Sequence, residues 1–292
     1  MQFRLSPAAR SEGHRLHSHD TLGSTNSEAL DLARGGETGP LWITTRRQVA
    51  GRGRRGNAWS SPEGNLAASL LVSVSGVAPE LIATIGFVAG VALVEALRDA
   101  AGTGLSPGVR GMSRGEAGTG TGGSGPAPSP QAIAGSPPAI HLKWPNDVLA
   151  DGRKLAGILL EAETLPGGRR SVVIGFGVNV ASAPDGLPYP TAALSAFSAA
   201  DAPMLFEFLS ERFVEAARIW NKGRGFAEIR RLWLERAAGV GAPVSVRTAG
   251  ATLSGTFETI DEGGRLVILA PDGTRRTVTA GEVHFGSAAT AA

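Results

Sequence analysis

The chain contains no cysteine. That excludes a disulfide framework, a thiolate metal site and a cysteine nucleophile. A secretion signal is also missing: the opening MQFRLSPAARSEG holds no long apolar stretch. The longest weakly polar run, Leu81 to Val94, is bounded by Glu80 and Glu95 and falls short of a bilayer span. It reads as a buried helix, so no membrane is expected and a cytoplasmic location is. One-sided charge is absent too. The 28 Lys+Arg nearly cancel the 26 Asp+Glu, which is no nucleic-acid footprint by itself. What 292 residues allow is one large domain, or a large one with a small companion, burying a core without staples.

Local charge is more informative than the total. Arg46, Arg47, Arg52, Arg54 and Arg55 fall within ten residues with no acid among them. An anion is the natural partner of such a cluster. The segment Gln48-Val-Ala-Gly-Arg-Gly-Arg-Arg-Gly-Asn57 alternates glycines, which expose backbone N–H groups, with forked cationic donors. It lacks the spacing of a nucleotide P-loop and of a dinucleotide fingerprint. Two readings stay open: a loop that wraps a phosphate or carboxylate, and a basic turn of the kind that binds RNA weakly. Trp59 follows, either to stack on a base or to anchor the loop on the core.

The coarse pattern is α/β. Leu41–Thr45 and 66–74 read as strands, and 80–98 as a helix with Pro79 in its first turn. Gly and Pro fill nearly half of residues 102–139, and large apolar side chains are scarce. That composition predicts a disordered insertion within one α/β unit. Residues 140–144, 155–163 and 171–180 read as strands joined by short turns, an antiparallel meander. Helices are predicted over 203–220 and 226–237. Beyond Gly239, short strands at 244–248, 252–260, 266–269 and 274–278 suit a small β-barrel docked on the larger domain.

Four further segments carry polar groups where chemistry can use them. Ser24-Thr-Asn26 precedes a helical pattern, as an N-cap or as short donors to a ligand. Lys143-Trp-Pro-Asn-Asp147 ends a strand, and Asp147 suits Mg²⁺ held with phosphate oxygens as well as it suits a capped turn. Lys154-Leu-Ala-Gly-Ile-Leu-Leu-Glu161 opens a strand. Strict alternation sets Lys154, Ala156, Ile158 and Leu160 on one face, with Gly157 and Glu161 on the other. Gly175-Phe-Gly-Val-Asn179 places two glycines inside a strand, where they mark close approach of a ligand or a bulge. His14, His17 and His19 read as surface residues.

Taken in order, Ser24–Asn26, Gln48 through Trp59, KWPNDV at 143–148, GRKLAGIL at 152–159 and GFGVNV at 175–180 resemble the catalytic domain of biotin–[acetyl-CoA-carboxylase] ligases. The resemblance covers nearly the whole chain except 102–139. It implies a mixed-sheet catalytic domain over 1–238, akin to class II aminoacyl-tRNA synthetases and lipoate ligases, and an SH3-like barrel over 239–292. It further implies that biotin is activated by MgATP as biotinyl-5′-AMP and passed to a lysine of a biotin carboxyl carrier domain. By the same resemblance, Ser24, Thr25, Asn26, Gln48, Gly51, Arg52, Arg54, Lys154 and Gly157 line the biotin site. Arg54, Arg55, Trp59, Asn146, Lys154 and Asn179 meet ATP, and Asp147 meets Mg²⁺. Lys154, Arg52 and Arg54 carry the catalytic charge. Asn57 stands where relatives commonly have Arg or Lys. About twenty residues precede Ser24, so no N-terminal helix-turn-helix and no operator binding are expected; a homodimer stays open. The rivals are a lipoate–protein ligase and a single-stranded RNA-binding module.

Overall fold

The computed structural model describes residues 2–102, 137–248 and 251–285. The disorder expected for 102–139 falls almost wholly outside those residues. The helices are α1 (Pro7–Ser11), α2 (Thr25–Arg34), α3 (Pro79–Ile82), α4 (Ile85–Gly102), α5 (Ala202–Trp220) and α6 (Phe226–Glu235). The first seven strands are β1 (Arg15–Leu22), β2 (Leu41–Gln48), β3 (Leu66–Ser73), β4 (Ile140–Lys143), β5 (Asp147–Ala150), β6 (Arg153–Thr164) and β7 (Arg170–Val178). They form one sheet in the order β1-β2-β3-β7-β6-β5-β4. Only β1 and β2 run parallel; every other neighbouring pair is antiparallel. The predicted meander is therefore present, with β5 as a strand the sequence reading passed over. Asp151 and Gly152, both at positive φ (47° and 75°), make the tight turn into β6.

The two faces of this sheet differ. Ala68, Leu70, Ile158, Ile174 and Phe176 point into the main core under α4, α5 and α6. Helix α5 begins where Asp201 accepts from the Met204 N–H, and buries Leu205, Phe206, Leu209 and Phe213. Phe206 and Phe213 pack edge-on against Trp42, with ring centroids 5.3 and 5.8 Å away. Each such buried side chain contributes on the order of 1.5–3 kcal/mol. On the opposite face α2 covers Leu41, Ile43, Leu71 and Val173 through Ala29, Leu30 and Ala33. The rest of that face carries the polar residues described below.

Among the described residues, one helical stretch, Pro79–Gly102, is long and apolar enough to cross a membrane, which is longer than the run read from the sequence. In the structure 67% of its most apolar window is buried inside the protein.

The C-terminal block corrects an expectation. Strands β8 (Pro243–Arg247), β9 (Thr252–Ile260), β10 (Leu266–Leu269), β11 (Arg275–Val278) and β12 (Glu282–Phe285) form an open antiparallel sheet, in the order β11-β10-β9-β8-β12. It is not the closed SH3-like barrel expected from the strand pattern. Closure would pair the outer strands, but β12, which the sequence reading missed, returns to β8 and leaves β11 as a free edge. A register shift between Val267 and Ile268 curls the β9–β10 pair without closing the sheet. This sheet packs on the larger unit: the Trp144 indole N–H donates to the Gly264 carbonyl at 3.2 Å. Arg230 reaches Thr259 and the Ile260 carbonyl. The connecting residues Arg236 and Ala238 bond both backbone groups of Leu142, and so cover the outer edge of β4.

Candidate functional site

Side-chain size shapes the floor of the site. Register sets Gly157 beside Gly177 and Gly177 beside Ala67, in one row across β6, β7 and β3. The next row is Leu159, Gly175 and Ser69. Three glycines and two small residues leave a shallow trough in the middle of a sheet that is otherwise clothed. The indole of Trp59 lies on it. A Cβ at Gly177 would sit 2.9 Å from Trp59 Cζ2, and one at Gly157 would sit 3.3 Å from Cζ3. Strand-interior glycine, costly by itself, is here the condition for flat approach of a ring. Trp59 thus does anchor its loop, and it does so on the functional face rather than in the core.

Lys154 marks one end of the trough. Its Nζ is 2.9 Å from Asp147 Oδ1 and stands over two rings, 5.6 Å from the Trp59 centroid and 5.4 Å from the Tyr189 centroid. Strict alternation along β6 had separated Lys154 from Gly157. A β-bulge overturns that: Val148 pairs with Ala156 and Leu149 with Lys154, so Leu155 is an extra residue. Leu155 and Ala156 are both buried, and Lys154 is turned to the side of Gly157 and Trp59. Asn146, next to Asp147, donates to the Ile158 carbonyl at 2.8 Å and accepts from Arg54 Nη1 at 3.0 Å. Burial, then repulsion by Arg55, lowers the Arg54 pKa, and Asp147 partly opposes this. Burial likewise lowers the pKa of Lys143, two strands away from the trough, against the pull of Asp147 and Glu282. Asn179 is buried behind Lys154, where its amide donates to the Ala192 carbonyl at 3.2 Å.

The Arg loop itself is folded rather than loose. Gly53 and Asn57, and Gly51 and Trp59, are joined by backbone bonds of 2.7 and 2.9 Å, giving a hairpin with Arg54–Gly56 at its tip. Arg55, in the left-handed region (φ 56°), is exposed there and is not brought to the trough.

A chain of neutral donors and acceptors occupies the other end. Ser24 takes the N-cap position of α2 without a capping side-chain bond. Gln48 Oε1 accepts from the Thr25 N–H at 2.8 Å and its hydroxyl at 3.1 Å. Ser69 Oγ lies 2.7 Å from Thr25 Oγ1 and 2.6 Å from Asn26 Oδ1. Ser24, Thr25, Asn26 and Ser69 are all buried. Asn26 Nδ2 donates to Glu161 Oε2 at 2.7 Å, and the same oxygen accepts from Arg52 Nη2 at 3.0 Å. About 15 Å of strand, at the usual rise per residue, separates this end, in the row of Leu159 and Gly175, from Lys154.

Three residues with structural weight here are given no role by the sequence: Glu161, Tyr189 and Asn65. Buried Asn65 accepts from three successive backbone N–H groups, Val180, Ala181 and Ser182, at 2.9–3.1 Å, and donates to the Ser182 carbonyl at 2.8 Å. It fixes the chain just after Asn179. Asn65→Ala leaves those N–H groups without their acceptor and is expected to cost about 2–3 kcal/mol, read by chemical denaturation. Asn65→Asp, which keeps the acceptor oxygen, is expected to recover most of that loss.

A trough with polar groups at one end and Lys154, Arg54, Asn146 and Asp147 at the other suits a flat, hydrogen-bonding molecule that carries an anion at its far end. Comparison with known proteins gives the family. The model of the biotin/lipoate A/B protein ligase family matches residues 22–179, and that of the biotin protein ligase C-terminal domain matches 239–286. The biotin–[acetyl-CoA-carboxylase] ligase of Paracoccus denitrificans is 37% identical, over 90% of this chain and 97% of its own. The bifunctional ligase/repressor BirA of Bacillus subtilis is 28% identical, over 94% of this chain and 75% of its own. The fold is like that of the Aquifex aeolicus biotin protein ligase solved with biotin and ATP, with a TM-score of 0.66 and 21% identity, over 92% of this chain and 97% of that one. The chain belongs to the biotin/lipoate A/B protein ligase family, and it carries that family's biotin protein ligase C-terminal domain.

Proposed function

We propose that this protein activates biotin with MgATP and transfers it to a lysine of a biotin carboxyl carrier protein, in the cytoplasm. The observation that carries the reading is the meeting of two cationic groups, Lys154 and Arg54, at one end of the trough. Both are held by the turn that bears Asn146 and Asp147. In the first step a biotin carboxylate oxygen attacks the α-phosphorus of ATP. The P–O bond to pyrophosphate breaks and biotinyl-5′-AMP forms. Two anions have to approach each other, and fixed positive charge between them lowers that barrier. In the second step the neutral ε-amine of the acceptor lysine attacks the acyl carbon; AMP leaves with the bonding pair and an amide remains.

Within this reading, Ser24, Thr25, Asn26 and Gln48 bind the ureido ring, and Gly157 seats the Trp59 indole against which the ligand lies. Gly51, Arg52 and the folded hairpin cover the bound acid and keep water from the mixed anhydride. Trp59 meets the nucleotide, and Asn179 braces the Lys154 strand. Among the described residues no group of three His, Asp or Glu stands ready for a metal. Asp147 fits the role of a single carboxylate for Mg²⁺ that arrives on the ATP phosphates, where the ion neutralises phosphate charge. Residues 1–238 would form the catalytic unit and 239–292 its companion.

The buried Thr25–Asn26–Ser69 cluster favours a hydrogen-bonding ring over the flexible chain and dithiolane of lipoate. The RNA reading loses its basis because Arg52 and Arg54 are engaged by Glu161 and Asn146. The test mixes the protein with MgATP, biotin and a carboxyl carrier domain, and follows pyrophosphate release and label transfer. Lipoate and octanoate replace biotin as controls. Pyrophosphate release with lipoate but not with biotin would reverse the assignment.

A further inference from the structure

An acidic side chain is out of place in a trough meant for anions, yet Glu161 stands on its face, in the row beyond Leu159 and Gly175. Its carboxylate is three-quarters screened, with a side-chain exposure of 26%. One oxygen, Oε2, accepts both Asn26 Nδ2 at 2.7 Å and Arg52 Nη2 at 3.0 Å. Those two donors come from different pieces of chain: Asn26 from the first turn of α2, and Arg52 from the hairpin that follows β2. Asn26 has its other amide atom committed, since Oδ1 accepts from Ser69. Its side chain can therefore satisfy both neighbours in only one orientation, with the N–H₂ towards Glu161.

We infer that Glu161 is a positioning residue. Through one shared oxygen it ties the arginine hairpin down over the trough and fixes the orientation of the Asn26 amide. Neither arm needs Glu161 to touch a substrate. The charge on Glu161 matters for the Arg52 arm, because a hydrogen bond between two ionised groups is about twice as strong as a neutral one. The Asn26 arm needs only an acceptor. Glu161→Gln separates the two: an amide oxygen can still accept from Asn26, while the ionic hold on Arg52 is lost.

The consequence for the hairpin is independent of the reaction; the consequence for kinetics rests on the proposed function. The experiment compares wild type, E161Q, R52Q and the double variant. It measures tryptic cleavage after Arg54 and Arg55 in the native, ligand-free protein, and KM for biotin and kcat in MgATP-dependent pyrophosphate release. Thermal midpoints check that all four are folded. E161Q is expected to speed cleavage about fivefold or more and to raise the biotin KM about tenfold, with kcat within about twofold of wild type. In the R52Q background, E161Q should change either quantity by less than about twofold, because interactions within one pair are not additive. Unchanged cleavage in E161Q overturns the inference, as do effects that simply add to those of R52Q. If the wild type releases no pyrophosphate with biotin, the proposed function falls. The cleavage rates of the four proteins then decide the role of Glu161 alone.

Discussion

Lys154→Ala is expected to slow formation of the acyl-adenylate by about 10²–10³-fold, while the Kd for biotin changes by less than about fivefold. The asymmetry comes from where the ammonium is held. It is 2.9 Å from Asp147 and lies between the Trp59 and Tyr189 rings, at the far end of the trough from Thr25 and Asn26. In the proposed function, ground-state binding of the acid is dominated by the Ser24–Asn26 end. The Lys154 end acts where charge accumulates as the carboxylate meets the phosphate. An interaction made mainly in the transition state lowers kcat when removed, not affinity. Single-turnover pyrophosphate release and calorimetric titration of biotin measure the two quantities separately. Equal losses in both would make Lys154 a ground-state binding residue. Lys154→Arg is expected to rescue poorly, since a forked planar cation does not fill the space of a compact ammonium between two rings.

The second large effect is expected at Gly175. Its backbone is ordinary strand, so the constraint is space and not dihedral freedom. An added Cβ would collide with Asn26 Oδ1 and lie 3.0 Å from Asn26 Cγ. Asn26 has nowhere to go: it is buried, accepts from Ser69 and donates to Glu161. Gly175→Ala should therefore cost about 1–3 kcal/mol as an overpacked site, and it should also break the polar cluster at the ring end. Biotin affinity is expected to fall about 100-fold, close to the loss of two buried hydrogen bonds. Denaturant titration and calorimetry check both numbers. Gly157→Ala supplies the contrast, because its Cβ would lie 3.3 Å from the edge of an indole able to shift. A much smaller stability loss is expected there, and equal losses at the two positions would remove the explanation from space.

How far the sequence carried this description depends on how local each feature is. Strands β2, β3 and β7 were legible as short runs rich in apolar, β-branched and small residues, helices α5 and α6 because their apolar residues recur at helical spacing, and Asp151-Gly152 because that pair suits a tight turn. The KWPND and KLAGIL segments were legible as a family resemblance, and the family comparison bears that out. What stayed hidden is non-local. The extra residue at Leu155 shows only in the pairing of β5 with β6, so strict alternation put Lys154 on the wrong face. Tyr189 comes to Lys154 because the Lys154 N–H donates to the Pro190 carbonyl across the chain, a contact with no sequence spacing. Nothing in the sequence marks Asn65, because its three accepted bonds are set by a segment more than a hundred positions away. Four of the five C-terminal strands were visible, but whether a sheet closes is decided by the partner of its last strand. That strand, Glu282–Phe285, was the one missed.

The bulge at Leu155 carries an implication for how this stretch of chain can change. Leu155 stands outside the ladder, since Val148 pairs with Ala156 and Leu149 with Lys154. Dropping it would leave Lys154 two places before Gly157 in plain alternation, with the ammonium still turned to the trough. Inserting one residue between Lys154 and Gly157, without a second bulge to absorb it, would turn the ammonium towards the packed helices. At this point the strand can therefore lose a residue more safely than it can gain one.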